Sequence, residues 1–270
     1  MDSAMCQVKR EAFWTRIAAG FFVLCVFCGC SVSRPPPATV GSYAIVHGAA
    51  DAARIADEAD AAVRAVAGYL DVPLPERPAR IVHFRWGLSR RMYLRSACPR
   101  MADAAAACFA NADGELEIVL SGSWRALETR RLLRHELTHY VVASTWHGKV
   151  PPWLDEGLSR FFELGAPYER PHPECLKRLR KRLGNVQPNM LEDLVRTPPG
   201  ERLTRAQYDQ AWGLTWFLLT NPDYGPAAVT AYADDVRWPD DPSQRFRLHF
   251  GATPVEIRDD WRRTILAATP

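Results

Sequence analysis

The sequence predicts an α+β fold with a small N-terminal sheet, its helices, and a helical C-terminal half. Three observations carry this. Residues 49–70 are Ala-rich, with Ile55, Ala59, Ala62, Val63, Val66 and Leu70 at helical spacing. Two short runs, 80–86 and 115–120, read instead as strands. From residue 128 onward every periodic segment has the spacing of a helix. Strands that come early and helices that come late, without regular alternation, point to α+β.

The elements follow in order. Pro73, Pro75 and Pro78 end the first helix. Ile81-Val82-His83-Phe84 forms the centre of the first strand. A helix is expected over 89–97. Asn111-Ala112-Asp113-Gly114 is a turn signal, and Leu116, Ile118 and Leu120 alternate after it as a second strand. A long helix is predicted over 128–144. Pro151-Pro152 opens another over 153–164, since proline suits a first helical turn. Further helices are expected around 174–183, 204–219 and 254–266.

The chain has 270 residues, 47% of them hydrophobic and 24% charged, enough apolar material for a sizeable core. The formal net charge of +3 argues against a nucleic-acid partner. The basic run from Lys177 to Arg182 is expected to be the solvated face of a helix.

Within the long helix lies His135-Glu136-Leu137-Thr138-His139. Residues four apart share a helix face, so both imidazoles can reach one metal ion. Zinc suits them, because it takes nitrogen ligands in tetrahedral geometry. Glu136 leaves the helix on the adjacent side, where a general base can reach a water without taking a ligand position. Leu132, Leu133, Leu137, Tyr140, Val141 and Val142 surround the motif. Such a helix is expected to be buried, and buried His and Glu are costly unless paired or bound to metal. A catalytic zinc needs a third protein ligand. Thr145 and Val142 occupy the positions where a metzincin would carry His and Gly. His147 is off the pattern and reads as a loop residue.

The better third ligand is Glu156 in Pro152-Trp153-Leu154-Asp155-Glu156-Gly157-Leu158, 17 positions after His139. With this segment the chain resembles the gluzincins, relatives of thermolysin and aminopeptidase N, and most of all the peptidase-MA-like group. The similarity extends over residues 43–266 and includes Phe250-Gly251-Ala252-Thr253-Pro254 and Trp261. It implies a zincin-like domain in which His135, His139 and Glu156 hold Zn2+ and Glu136 is the base. The implied reaction is zinc-dependent hydrolysis of peptide bonds, with a peptide or protein as substrate. No amine-binding motif of the aminopeptidase kind is present, so an endopeptidase is expected. Thermolysin-like enzymes carry an Asp one turn after the third ligand; Arg160 stands there, and Asp155 and Ser159 are neighbours that do not match.

The families resembled stabilise the oxyanion with a Tyr or His. Tyr208 is the candidate, although it reads equally as a core aromatic. They also pair extended substrate with a strand edge, and 115–120 is the natural candidate strand. Trp146, Trp153, Trp212 and Trp216 read as core rather than as a substrate pocket. Two further readings compete: an envelope scaffold or assembly protein using zinc as a structural clasp, and a helical binding protein with a chance motif. A structural clasp has no use for Glu136, which favours the enzyme.

Lys9, Arg10 and Arg16 precede an uncharged apolar run over 17–29, the pattern of a secretory signal peptide. Its end, Gly29-Cys30-Ser31, resembles the lipobox of bacterial lipoproteins. That resemblance implies cleavage after residue 29, lipid on Cys30, and an outer-membrane lipoprotein facing the periplasm. Residues 30–42, with Pro35-Pro36-Pro37, are then a membrane tether, and 43–270 the catalytic domain. Cys98, Cys108 and Cys175 remain in the mature chain, and three cysteines leave the pairing open. Nothing in the sequence indicates an oligomeric state.

Overall fold

The computed structural model describes residues 38–147, 149–185, 189–235 and 241–269. The expected signal peptide, Cys30 and the expected tether up to residue 37 lie outside the described residues. The fold is α+β, as the order of elements predicts. Two compact units are present, residues 1–60 with 77–136 and residues 61–76 with 137–270. Among the described residues, no helix is long and apolar enough to cross a membrane.

The first unit contains a mixed sheet of β1 (Thr39–Val40), β2 (Ala44–His47), β3 (Ala79–Phe84), β4 (Ala106–Ala110) and β5 (Leu116–Ser121), in the order β1-β2-β3-β5-β4. Strands β2, β3 and β5 run parallel; β1 and β4 pair antiparallel at the edges. The β4–β5 hairpin turns on Asn111, whose Oδ1 accepts from the N–H groups of Asp113 and Glu115. Gly114 supplies the positive φ of +77° that the turn requires.

Strand 115–120 was expected to offer an edge to substrate, and the sheet corrects this. Strand β5 is paired on both sides, by β3 and by β4, so its backbone groups are spent. The edge beyond it is β4. Sheet order is set by which strands pair, and alternation along one strand carries no record of that.

One face of the sheet is covered by helix α2 (Gly87–Ala97), which follows helix α1 (Ala52–Leu70) in the chain. Tyr93 and Leu94 of α2 pack with Val82, Ala107 and Val119, and Phe84 and Phe109 close the cluster. Tyr93 donates its hydroxyl proton to the buried Glu117 carboxylate, which also meets Arg80 Nε at 3.3 Å. This burial of a charge is tolerable because the carboxylate is paired from two sides.

Helix α3 (Leu127–Trp146) carries the boundary between the units, which falls after Glu136. The second unit is helical. It contains α4 (Pro152–Phe162), α5 (Pro173–Arg182), α6 (Met190–Val195), α7 (Arg205–Thr220), α8 (Gly225–Asp234), α9 (Pro242–Phe250) and α10 (Arg258–Ala267). Helices α4 and α7 approach closely at Gly157. A Cβ there would lie 2.0 Å from Thr215 Oγ1 and 2.7 Å from the Ala211 carbonyl oxygen. The four tryptophans read as core are core: Trp146, Trp153, Trp212 and Trp216 are all buried.

The basic run on α5 differs from expectation. Arg178 and Arg182 both donate to the buried Asp209 carboxylate of α7. Arg180 donates to the carbonyls of Ile265, Leu266 and Ala268 at the end of α10. Lys177 and Lys181 are exposed, but the arginines tie three helices together. Helical periodicity placed these residues on the polar face of α5; it did not show that the acid and the open helix end opposite would recruit them.

Candidate metal centre

Two successive helices build the site. Helix α3 carries His135, Glu136 and His139, with Leu133, Leu137, Tyr140 and Val141 buried around them. His147 ends α3 as an exposed turn residue with φ of +51°. The chain reverses, and Pro151 and Pro152 start α4. The Pro151 carbonyl accepts from the N–H groups of Leu154 and Asp155, closing the first turn. Trp153, Leu154 and Leu158 are fully buried and anchor one face of α4. Asp155 and Glu156 are then presented from the face that remains.

One ligand atom from each of His135, His139 and Glu156 can be chosen so that all lie within 4.8 Å of one another. His139 Nε2 is 3.7 Å from Glu156 Oε2. The opposite ring nitrogen, Nδ1, lies 2.7 Å from Asp155 Oδ1. A carboxylate accepts only, so Nδ1 carries the proton, and in the neutral ring the lone pair is then on Nε2. The ring is thereby fixed in the tautomer a metal ligand needs. Two imidazole nitrogens and a carboxylate oxygen at this separation match what zinc accepts, so the donor set fits the metal. Glu136 is buried, 6% exposed, on the helix turn between the two histidines.

Tyr208 is brought to the same place. Thr204 and Gln207 form a capping box that fixes the start of α7, and the Tyr208 N–H donates to the Thr204 carbonyl. The Tyr208 hydroxyl faces the Glu156 carboxylate. Burial, then the charge and hydrogen-bonding pull of Glu156, push its pKa up to about 12. The neighbouring Asp209 is held by Arg178 and Arg182, which pins the first turns of α7.

The position one turn after Glu156 is Arg160, and its role is local. Its NH1 donates to both oxygens of Glu163, at 2.9 and 3.2 Å. Glu163 also accepts from His172 Nε2 at 3.0 Å, while His172 Nδ1 accepts from the Cys175 N–H. The carboxylate partner of His139 is instead Asp155, the residue that had seemed not to match. An acid directly preceding Glu156 was the available signal. Reading it required knowing how α4 turns back on α3.

No protein-family model matches the chain, and no curated protein matches it.

Proposed function

We propose that this chain is a zinc metallopeptidase, with His135, His139 and Glu156 as ligands and Glu136 as general base. The observation that supports it most is the pair of contacts on one imidazole: Asp155 at His139 Nδ1, Glu156 beside Nε2. A histidine oriented this way by a carboxylate is prepared for a metal. Zinc bound there supplies a Lewis acid and an acidified water.

The protein groups divide the remaining work. Glu136 takes a proton from water as it attacks the scissile carbonyl, then returns it to the leaving amine. Tyr208, held against Glu156, donates to the oxygen that becomes negative. Its high pKa keeps the hydroxyl protonated, as a donor requires. The substrate is an internal bond of a peptide or protein, cut by an endopeptidase with a zincin-like fold. The sequence of the N-terminus supports export by a cleaved signal peptide and lipid attachment at Cys30, which puts the enzyme on the periplasmic side of the outer membrane.

Zinc content per chain tests the ligand set. About one zinc is expected, and Glu156→Ala is expected to lose most of it. Glu136→Gln is expected to keep the zinc and lose hydrolysis of an unfolded protein substrate. A folded wild type without zinc overturns the proposal. Labelling with radioactive palmitate, abolished by Cys30→Ala, tests the anchor.

A further inference from the structure

Helix α2 packs on the sheet through Tyr93 and Leu94, and its other side is largely exposed, with Arg91 paired to Asp103. Leu88, Arg91, Met92 and Arg95 fall at i, i+3, i+4 and i+7, one face of the helix. Leu88 is 70% exposed and Met92 49%. Trp86, just before the helix, is 64% exposed, a costly arrangement for so large an apolar side chain in water. The Arg85 guanidinium lies over its ring, 5.1 Å from the centroid.

The charge around this face is mostly positive, with Asp103 beside Arg91 as its acidic neighbour. Residues 77–102 contain Arg77, Arg80, Arg85, Arg90, Arg91, Arg95 and Arg100 and not a single Asp or Glu. Some of these are engaged: Arg80 with Glu117, Arg90 with Ser121 and the Ala105 carbonyl, Arg91 with Asp103. Arg85, Arg95 and Arg100 are exposed and form no ion pair among the described residues. The chain's small net charge conceals this local excess.

We infer that the exposed face of α2 with Trp86 docks on an anionic phospholipid surface. Three features select that partner. Trp beside Arg is the pair that settles at the headgroup level, ring inward and guanidinium to the phosphates. Leu88 and Met92 offer aliphatic surface to acyl chains, for which a nucleic-acid backbone has no use. The tether is short: eight residues separate Cys30 from Thr39, a reach of roughly 30 Å fully extended. A lipid at Cys30 would keep this unit close to headgroups. A basic apolar patch beside such an anchor adds a second contact that sets how this unit lies on the surface. The inference rests on the proposed lipid anchor at Cys30 but not on the peptidase reading, since no residue of the metal centre enters it.

The test reconstitutes the full chain in vesicles with brominated acyl chains, which quench tryptophan at membrane depth. The chain has nine tryptophans, so the Trp86 signal is the difference between wild type and Trp86→Phe. Quenching of that signal is expected in equimolar phosphatidylglycerol and phosphatidylcholine, and little in phosphatidylcholine alone. Each of Arg85→Gln and Arg95→Gln is expected to lower the docked-to-undocked ratio about fivefold. Near-UV circular dichroism of each variant should match wild type, because all three side chains are exposed. An unquenched Trp86 in the anionic vesicles overturns the inference. Equal quenching in both lipids overturns its electrostatic part. Stronger shielding of Trp86 by polyuridylic acid than by vesicles would assign the face to a polyanion instead.

Discussion

Asp155 Oδ1 sits 2.7 Å from His139 Nδ1, and the residue after Asp155 is the carboxylate that faces the other nitrogen of the same ring. Two adjacent acids on one helix therefore grip one histidine from both sides. Removing the outer grip frees the ring to rotate and to change tautomer. Asp155→Ala is expected to weaken zinc binding about 10- to 100-fold. Asp155→Asn keeps an acceptor oxygen and should lose less. Competition with a chromogenic chelator reads both, and equal affinity in wild type and Asp155→Ala would remove the orienting role.

Tyr208 separates into two possible duties, as donor to the oxyanion and as partner of Glu156. Tyr208→Phe deletes the hydroxyl and keeps the ring. The expected result is a fall of about 10²–10³ in kcat, the usual cost of one oxyanion donor, with zinc content unchanged. If zinc falls and kcat per bound zinc does not, the hydroxyl serves only to hold Glu156.

Most of the helices that carry the site were legible in the sequence, because each buries one continuous stripe. The spacing of His135 and His139 places both on one face of α3, and Pro151-Pro152 marks the start of α4. Strand β4 was not legible: Ala106-Ala107-Cys108-Phe109-Ala110 has little β-branched character and draws its stability from pairing with β5. Strands β1 and β2 and helices α6, α8 and α9 were missed too. The Asp155–His139 contact and the Arg178–Asp209 pair depend on how helices meet, and spacing along one helix is silent about that. The exposed face of α2 escaped for a different reason: overall composition averages its charge away.

Gly157 offers a test of packing directly beside Glu156. A methyl group there would overlap Thr215 Oγ1 and, at 2.7 Å, the Ala211 carbonyl oxygen. The hydroxyl can move but the backbone oxygen of a buried helix cannot. Gly157→Ala is expected to destabilise the fold by about 1–3 kcal/mol, a drop in Tm of several degrees. Thr215→Ala in the same chain should recover only part of it. Full recovery would show that the side chain alone sets the helix spacing.

Asp209 is 2% exposed and accepts from two arginines that are each about a third exposed. Asp209→Asn leaves both cations with a weaker partner, though they can turn toward water. The cost should be about 2 kcal/mol, below the 3–5 kcal/mol of a fully buried pair. Arg182→Ala should cost less, since Arg178 still holds the carboxylate. Denaturant midpoints rank the two variants, and the opposite order would place the anchor in Arg182.

Cys175 is buried beneath His172 at the start of α5, and burial pushes its thiol from 9.0 up to about 12. The folded chain thus holds this proton more tightly than the unfolded one. Its contribution to stability is complete below pH 9 and is lost as pH rises toward 12, because the unfolded thiol ionises first. At pH 8 the native thiol should resist iodoacetamide for as long as the chain stays folded, since the thiolate is the reactive form. Adding guanidinium should expose it to alkylation in step with unfolding. Mass spectrometry of the peptide carrying Cys175 reads this directly, and rapid modification in native buffer would contradict the burial.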